Sequence, residues 1–447
     1  MEKEKSWNEI EDLSYFILKK TKSLGADDVI VSSTKNRNQH IKFVNNKIAT
    51  IKNLARLEAG IFFTINKKII AGTFSKFTKG DMLKTVEALI RFSKDTKAND
   101  NYQGMADGPF KYRDDVYDKK IAHINEEAIP LVESAINTAL KFKAKRCAGT
   151  FDSGYYETLL ITSNNVKAYD KNTNARFSIR VFTDGDASIH KTIVSKNLKG
   201  LDIMKVTQEA LELLRDVKKP KRIDAGKYSV VFDPMAFSNL LDSVGDASSI
   251  FNVEAGTSCL RNHLGKSLGN FTLVDDGTLA DGYHSVKFDA EGTPTKKNFI
   301  INNGVLKTFL HNTSSAKRHS TEPTANAGLI APKPWNLVLE QGDYSNDELF
   351  RELKNGLYIT NVWYTRFQNY STGDFSTIPR DAVFLIKNGR IAGCVKDVRI
   401  SENILNILKN INVLGNKQEH VLGWDSETPA LLPRALVRNV NITVPVS

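Results

Sequence analysis

The stretch from Lys227 to Ser258 joins a strand signal, a helix signal and a polar turn, an arrangement on which an enzyme can mount a catalytic helix. Asp233-Pro234 predicts the helix start, because an acidic side chain can cap free N–H groups and proline fits the first helical position. Asp242 and Asp246 lie four residues apart and can face one way. They would suit a hard cation weakly, and an exposed polar face of the helix is the favoured explanation.

Motifs for zinc and covalent chemistry are missing from this helix. A zinc hydrolase needs ligands on one scaffold, a carboxylate that takes a proton from water, and an open coordination position. Neither His-Glu-x-x-His nor His-Glu-x-x-x-His occurs. Cys259, after Gly-Thr-Ser, could be a nucleophile, although a buried small hydrophobe is the favoured role.

Histidines in the C-terminal half offer a second possibility for metal chemistry. Together with Asp281 or Asp289 they could meet around a metal, but scattered histidines are more often hydrogen-bonded polar residues. The four residues of this set are His263, His284, His311 and His319.

Polar turns carry the remaining signal for a binding site. Each of them could be ordinary turn chemistry. The alternative is a cleft whose open backbone groups pair with an extended peptide. The candidate peptide-cleft residues are Asp242, Ser243, Gly256, Thr257, Ser258, Asn326, Gly373, Asp374 and Phe375.

Composition describes a soluble globular protein of 447 residues, with 41% hydrophobic and 25% charged residues. The net charge of +11 could attract nucleic acid, but lysines spread over a solvated surface are the favoured explanation. Three distant cysteines predict neither a disulfide framework nor a metal knuckle. The segment MEKEKSWNEIEDL lacks the apolar region of a signal peptide, and no uncharged apolar run approaches the roughly 20 residues of a membrane span. We therefore expect a cytoplasmic protein that does not enter a membrane.

Hydrophobic periodicity predicts the elements that position these residues. The order of helix, antiparallel meander and helix occurs twice, in residues 1–108 and 109–221, and the segment 95–109 is interpreted as a linker. Strands and Gly-rich turns dominate residues 222–447, with Asn303-Gly304 and Asn388-Gly389 as hairpin signals. The sequence predicts an α+β protein, in which two N-terminal units of helix plus antiparallel sheet precede a β-rich domain.

Several spaced segments of the C-terminal half follow one another in a characteristic order. They are VVFDPMAFSNLL, EAGTS, TLVDDGTLADGYHSVKFDAEGTPTKKNFIINNGVLKTFLHNTSSAKR, NLVLEQGDYSNDELFRELKNGLYIT, TGDFS and NILNILKNINVLGN. These segments resemble the TldD/PmbA family, so the C-terminal domain of this chain is identified as a TldD/PmbA-type domain. The N-terminal half matches more loosely, through VNNKIATIKN and LEAGIFF.

The resemblance implies a cytoplasmic metallopeptidase system acting on unfolded peptides, in which a zinc-carrying TldD-type subunit pairs with a PmbA/TldE-type subunit. Asp242, Ser243 and Ala247 stand at the His, Glu and His positions of TldD-like chains. The expected C-terminal cysteine ligand is also missing, because the corresponding region reads GNKQEHVLGWDSETP. The chain therefore resembles the non-catalytic PmbA/TldE-like subunit, with no catalytic or metal residue assigned and zinc expected in a TldD-like partner.

Two alternatives stay open at this point. The chain could be a metallopeptidase or hydrolase that is active through a different site, such as the histidines around His284 and His311. It could also bind nucleic acid or a DNA-gyrase-linked complex, which the dispersed charge disfavours. The peptide substrate, the partner chain and the choice between homodimer and heterodimer do not follow from the sequence.

Overall fold

The computed structural model describes residues 5–114, 117–185 and 187–445, so the first four residues of the segment MEKEKSWNEIEDL lie outside it. The elements of the N-terminal half are α1 (Trp7–Ser23), β1 (Asp28–Val44), β2 (Lys47–Ile65), β3 (Lys68–Phe74), α2 (Lys79–Ser93), α3 (Lys119–Ala122), α4 (Ala128–Lys141), β4 (Arg146–Thr162), β5 (Lys167–Phe182), β6 (Ser188–Ser195) and α5 (Ile203–Arg215).

One antiparallel sheet joins both predicted N-terminal units. Its strand order is β3-β2-β1-β4-β5-β6, and β1 pairs with β4 from Ile30 opposite Thr162 to Phe43 opposite Gly149. The helices of this half pack on one face, where Val29 and Phe43 are buried. The domain boundaries stay predictions, and the structure adds that residues before and after position 108 share a sheet.

Two long hairpins replace several of the short strands that the sequence indicates. The separate runs expected around Lys47–Ile51 and Leu57–Ile65 are parts of the continuous strand β2. The polar residues between them are compatible with a strand because this part of β2 is largely exposed and therefore needs no apolar pattern.

The segment expected to be a linker, residues 95–109, is anchored to the sheet. It has no strand, but Met105 is only 2% exposed and packs with Ile30 and Phe62 on the face opposite the helices. The Tyr102 hydroxyl also donates to the Asp28 carboxylate at 2.7 Å. The segment therefore connects its neighbours without helix or strand, and a few apolar residues fasten it to the sheet.

The C-terminal half is rich in strands, as predicted. Its elements are β7 (Gly226–Phe232), α6 (Pro234–Ala247), α7 (Ile250–Glu254), β8 (Leu273–Asp276), β9 (Lys297–Asn302), β10 (Val305–Leu306), α8 (Thr313–Arg318), β11 (Leu337–Leu339), α9 (Asn346–Leu353), β12 (Gly356–Ile359), β13 (Val362–Asn369), β14 (Asp374–Pro379), β15 (Val383–Lys387), β16 (Arg390–Val395), β17 (Arg399–Asn403), α10 (Ile404–Lys409), β18 (Ile411–Val421) and β19 (Ala430–Thr443).

These strands form a mixed, branched sheet of 13 strands with the central order β10-β9-β8-β11-β19-β7-β12-β15-β16. The predicted Asn303-Gly304 and Asn388-Gly389 turns are confirmed, because all four residues have the positive φ that a tight hairpin requires. In the described ranges, no helix combines the length and apolar composition needed to cross a bilayer.

Candidate functional site

Helix α6 places the candidate site on a rigid support. Phe237, Leu240, Leu241 and Val244 are at most 1% exposed and belong to the largest apolar core, as their helical spacing predicts. The helix begins at Pro234 after Asp233, but the Asp233 side chain caps no N–H group. Burial of the apolar side therefore leaves only the opposite side of α6 free to line a cavity.

A cavity of about 450 Å³ lies against that side, and we call it the α6 pocket. Carboxylates and aromatic rings share its wall with one lysine and one histidine. Its lining residues are Asn239, Asp242, Ser243, Asp246, Ala247, Thr257, Cys259, His284, Lys333, Pro334, Thr365, Phe367, Tyr370, Asp425, Glu427 and Thr428.

Asp242 joins α6 to the C-terminal segment across this pocket. Its carboxylate accepts the backbone N–H groups of Glu427 at 3.1 Å and Thr428 at 2.9 Å. Asp246 is exposed, as the polar-face interpretation expects, but Asp242 is half-buried and that interpretation was wrong for it. Burial raises the pKa of Asp242, while the bonds from Thr428 and Glu427 lower it.

The side chains at the three positions matched to the zinc motif do not fit a zinc ion. Both Asp242 oxygens accept backbone N–H groups, the Ser243 hydroxyl donates to the Leu240 carbonyl at 2.6 Å, and Ala247 has no donor atom. Among the residues that the structure describes, no three His, Cys, Asp or Glu side chains form a metal-binding group. The three matched positions therefore provide no ligand set for zinc.

Two further pocket residues are held in their neutral forms. Burial raises the pKa of the Cys259 thiol to about 11, so that the thiol stays protonated at neutral pH. Burial likewise lowers the pKa of His284 to about 4, and the nearby Lys196 acts in the same direction. A neutral thiol and a neutral imidazole do not form the thiolate–imidazolium pair of a cysteine hydrolase.

The structure brings only some of the candidate cleft residues into the pocket. Asp242, Ser243 and Thr257 line it. Gly256, with φ +75°, turns the chain ahead of Thr257, and the buried Ser258 hydroxyl donates to the Ala247 carbonyl at 2.6 Å. The Gly256–Ser258 turn is therefore fixed at the edge of the α6 pocket. Its role in peptide binding stays a prediction.

The remaining candidates lie behind the pocket or away from it. Phe375 is 2% exposed and contacts the pocket residue Phe367, with a centroid separation of 5.7 Å. Gly373 packs against Cys259, and the exposed Asp374 accepts from Asn403 at 2.9 Å. Asn326 is buried outside the lining and donates to Asp275 at 2.6 Å.

The sequence reasoning missed several pocket residues that come from distant segments. Asp425 accepts the backbone N–H of Tyr364 at 2.6 Å and so anchors β13, which supplies Phe367. Lys333 approaches Glu427 at 3.7 Å. Asp425 and Glu427 could have been predicted from the segment GNKQEHVLGWDSETP. This segment corresponds to the region of TldD-like chains that carries the C-terminal zinc ligand, and it was therefore expected to lie near α6.

The histidine set is not brought together. His284 lines the α6 pocket, whereas the rings of His311 and His319 lie 5.5 Å apart in another part of the domain. The His319 Nε2 atom is 2.9 Å from the Glu254 carboxylate, which Arg318 also holds. The structure therefore offers no shared centre around His284 and His311.

Replacing Asp242 by alanine should loosen the segment that closes the pocket. The Glu427 and Thr428 N–H groups would lose their acceptor, at a cost of about 1–3 kcal/mol. Hydrogen exchange at these two amides should become at least several times faster. Asp246→Ala is the matched control on the same helix. Equal exchange rates in the two variants would contradict this role of Asp242.

Comparison with known proteins shows which proteins this chain is similar to. Residues 225–444 match the family model described as PmbA/TldA metallopeptidase C-terminal domain. Metalloprotease MJ0996 of Methanocaldococcus jannaschii is 32% identical over 233 residues, and the match spans 49% of each chain, about half the length of that relative. The uncharacterized protein MJ0231 of the same organism is 28% identical over 387 residues, which cover 82% of this chain and 88% of that relative.

A solved structure extends the similarity over nearly the whole fold. TldE from Thermococcus kodakarensis superposes with a TM-score of 0.86 at 18% identity, covering 97% of this chain and all of that one. At this identity the superposition supports the fold, and the family model supports the kinship. Residues 225–444 therefore form a domain of the PmbA/TldD metallopeptidase type, and several similar proteins are named metalloproteases.

Proposed function

We propose that this chain is a non-catalytic, cytoplasmic PmbA/TldE-like subunit that pairs with a TldD-like, zinc-carrying partner. In this proposal the α6 pocket forms part of a cleft for unfolded peptides, and the zinc belongs to the partner. The observation that carries the proposal is the contact between α6 and residues 427–428. Both segments match ligand-bearing regions of TldD-like chains, and in this chain they meet without zinc ligands.

The chemistry of the pocket supports binding more than catalysis. Asp242 is engaged by backbone N–H groups, and Cys259 and His284 are neutral, so the pocket lacks an activated nucleophile. Exposed aromatic and polar groups such as Tyr370, Thr257 and Lys333 are suited to contacts with a peptide chain.

The test is reconstitution with the TldD-like chain of the same organism. Both chains are purified separately and mixed, and hydrolysis of an unfolded, fluorescently labelled casein is followed. We expect the mixture to be at least tenfold more active than either chain alone. A zinc-ligand variant of the partner should abolish activity, whereas Cys259→Ala in this chain should leave it unchanged.

Two results would contradict the proposal. One is a failure of the chains to associate or to change each other's activity. The other is hydrolysis by this chain alone, accompanied by stoichiometric metal in elemental analysis, which would favour a hydrolase acting through its own site. Size-exclusion chromatography with light scattering reports the association independently of activity.

A further inference from the structure

Strand β2 leaves more than half of its length open at the edge of the six-stranded sheet. Its neighbour β3 pairs with it only from Ala59 to Ile65. Residues 47–58 are paired with β1 on one side, and no strand of the described residues lies on the other. Most of this segment is exposed, and Ile51 and Leu54 are exposed to 43% and 47%. Open edges of this length are sites at which another chain can add a strand.

The backbone of this edge points its hydrogen-bonding groups outward. The Thr64 carbonyl accepts the Asp27 N–H at 2.7 Å, so Thr64 faces β1. Backbone groups alternate between the two sides of a strand, and the β1–β2 register is unbroken from Thr50 to Thr64. The N–H and C=O groups of Ile51, Asn53 and Ala55 therefore face away from β1, and the described part of the chain gives them no backbone partner.

The two faces of the open segment differ in chemistry. Lys52, Leu54, Arg56 and Glu58 lie on one face, opposite His40, Asn38, Asn36 and Thr34 of β1, so two cations stand there beside one apolar and one acidic side chain. Ile51, Asn53 and Ala55 lie on the other face, which continues toward the buried Ala59 and Ile61. Because side chains of an added strand also alternate, carboxylates on its one face would meet the cations while apolar residues on its other face cover Ile51 and Ala55.

We propose that residues 47–58 form a docking edge for an extended segment of another protein in which acidic and apolar residues alternate. Backbone bonds to Ile51, Asn53 and Ala55 supply affinity, and Lys52 and Arg56 select the carboxylates. This docking edge is independent of the α6 pocket and of the proposed subunit role. A second copy of this chain fits it less well, because its own edge would bring Lys47, Lys52 and Arg56 to the junction again.

A matched pair of backbone variants tests the edge. Ala55→Pro removes an outward N–H that has no backbone partner among the described residues, whereas Ala55→Thr keeps it and suits a strand. The probe is a fluorescein-labelled 12-residue peptide of alternating glutamate and valine, followed by anisotropy with the full chain at low salt. We expect Ala55→Pro to weaken binding at least tenfold relative to Ala55→Thr, with unchanged circular dichroism in both variants.

A charge swap tests the selectivity. The double variant Lys52→Glu/Arg56→Glu should bind the Glu-Val peptide at least tenfold more weakly and should gain affinity for the corresponding Lys-Val peptide. Absence of binding to the unsubstituted chain, equal binding by the two Ala55 variants, or no effect of the charge swap would overturn the proposal. Light scattering that shows a dimer dissociated by Ala55→Pro but not by Ala55→Thr would assign the edge to a second copy and also overturn it.

Discussion

Replacing Asp233 by alanine is expected to lower the free energy of unfolding by about 3–5 kcal/mol, because it leaves two buried cations without their main counter-charge. The Lys191 Nζ atom lies 2.9 Å from Asp233 Oδ1, and an Arg434 nitrogen lies 3.5 Å from Oδ2. The Tyr358 hydroxyl donates to the same carboxylate at 2.5 Å. Glu419, at 3.6 Å from Lys191, is a further nearby anion, and Glu209 also interacts electrostatically with Lys191 and Arg434.

This cluster fastens the N-terminal sheet to the C-terminal domain. Lys191 lies on β6, Asp233 precedes α6, and Arg434 lies on β19. Burial by itself raises the pKa of Asp233, but Lys191 and Arg434 hold that pKa below its ordinary value. The carboxylate is therefore ionised at neutral pH, and its contribution to stability is lost as the pH falls below the ordinary carboxyl pKa of about 4.

Urea unfolding followed by circular dichroism measures this effect at pH 7. Asp184→Ala is the control, because Asp184 forms an ion pair with Lys145 at 3.3 Å whose side chains are 86% and 67% exposed. An exposed pair of this kind should change stability by no more than about 1 kcal/mol. Similar losses in the two variants would show that the buried cluster does not stabilise the junction.

Replacing Glu291 by glutamine is expected to stabilise the protein by about 1–3 kcal/mol at pH 8 while having little effect at pH 5. Asp289 and Glu291 are buried beside each other. Burial, with the nearby Glu291 carboxylate, raises the pKa of Asp289 to about 8, and burial also raises the pKa of Glu291. The glutamine oxygen can still accept the Thr313 N–H, which lies 3.3 Å from the Glu291 carboxylate.

The direction of this pH effect follows from the pH at which the carboxyl groups lose their protons in the folded and in the unfolded protein. Unfolded carboxyls ionise near pH 4, roughly, whereas the folded pair keeps its protons to higher pH. The contribution of the Asp289–Glu291 pair to stability is therefore fully present below about pH 4, the pKa of the unfolded carboxyl groups. It is lost as the pH rises toward the raised pKa of Asp289, about 8. Glutamine removes the like charge and with it part of this loss.

Unfolding free energies at pH 5 and pH 8 test this expectation, with the exposed Glu322→Gln as the matched control. The control should follow the unsubstituted protein within about 0.5 kcal/mol at both pH values. If Glu291→Gln also had the free energy of unfolding of the unsubstituted protein at both pH values, the two carboxylates would not be coupled in the folded state.

Sequence by itself determined the local elements and the family. The burial of Phe237 and Val244, the Asn-Gly hairpins and the capping box between Ser345 and Glu348 each depend on residues a few positions apart. Such patterns can be recognised without knowing how the sheets pack. The order of these local patterns predicted the α+β architecture, and the spaced segments that resemble the TldD/PmbA family indicated the type of the C-terminal domain.

Only the tertiary structure decided what the polar side chains contact. Asp233 was predicted to cap α6 and instead binds Lys191 and Arg434, and Asp242 meets Thr428, 186 residues further along the chain. The open edge of β2 likewise depends on where β3 ends in the assembled sheet. The physical reason is that buried polar groups take whichever partners the packing of distant strands provides, and one chain's local pattern does not specify that packing.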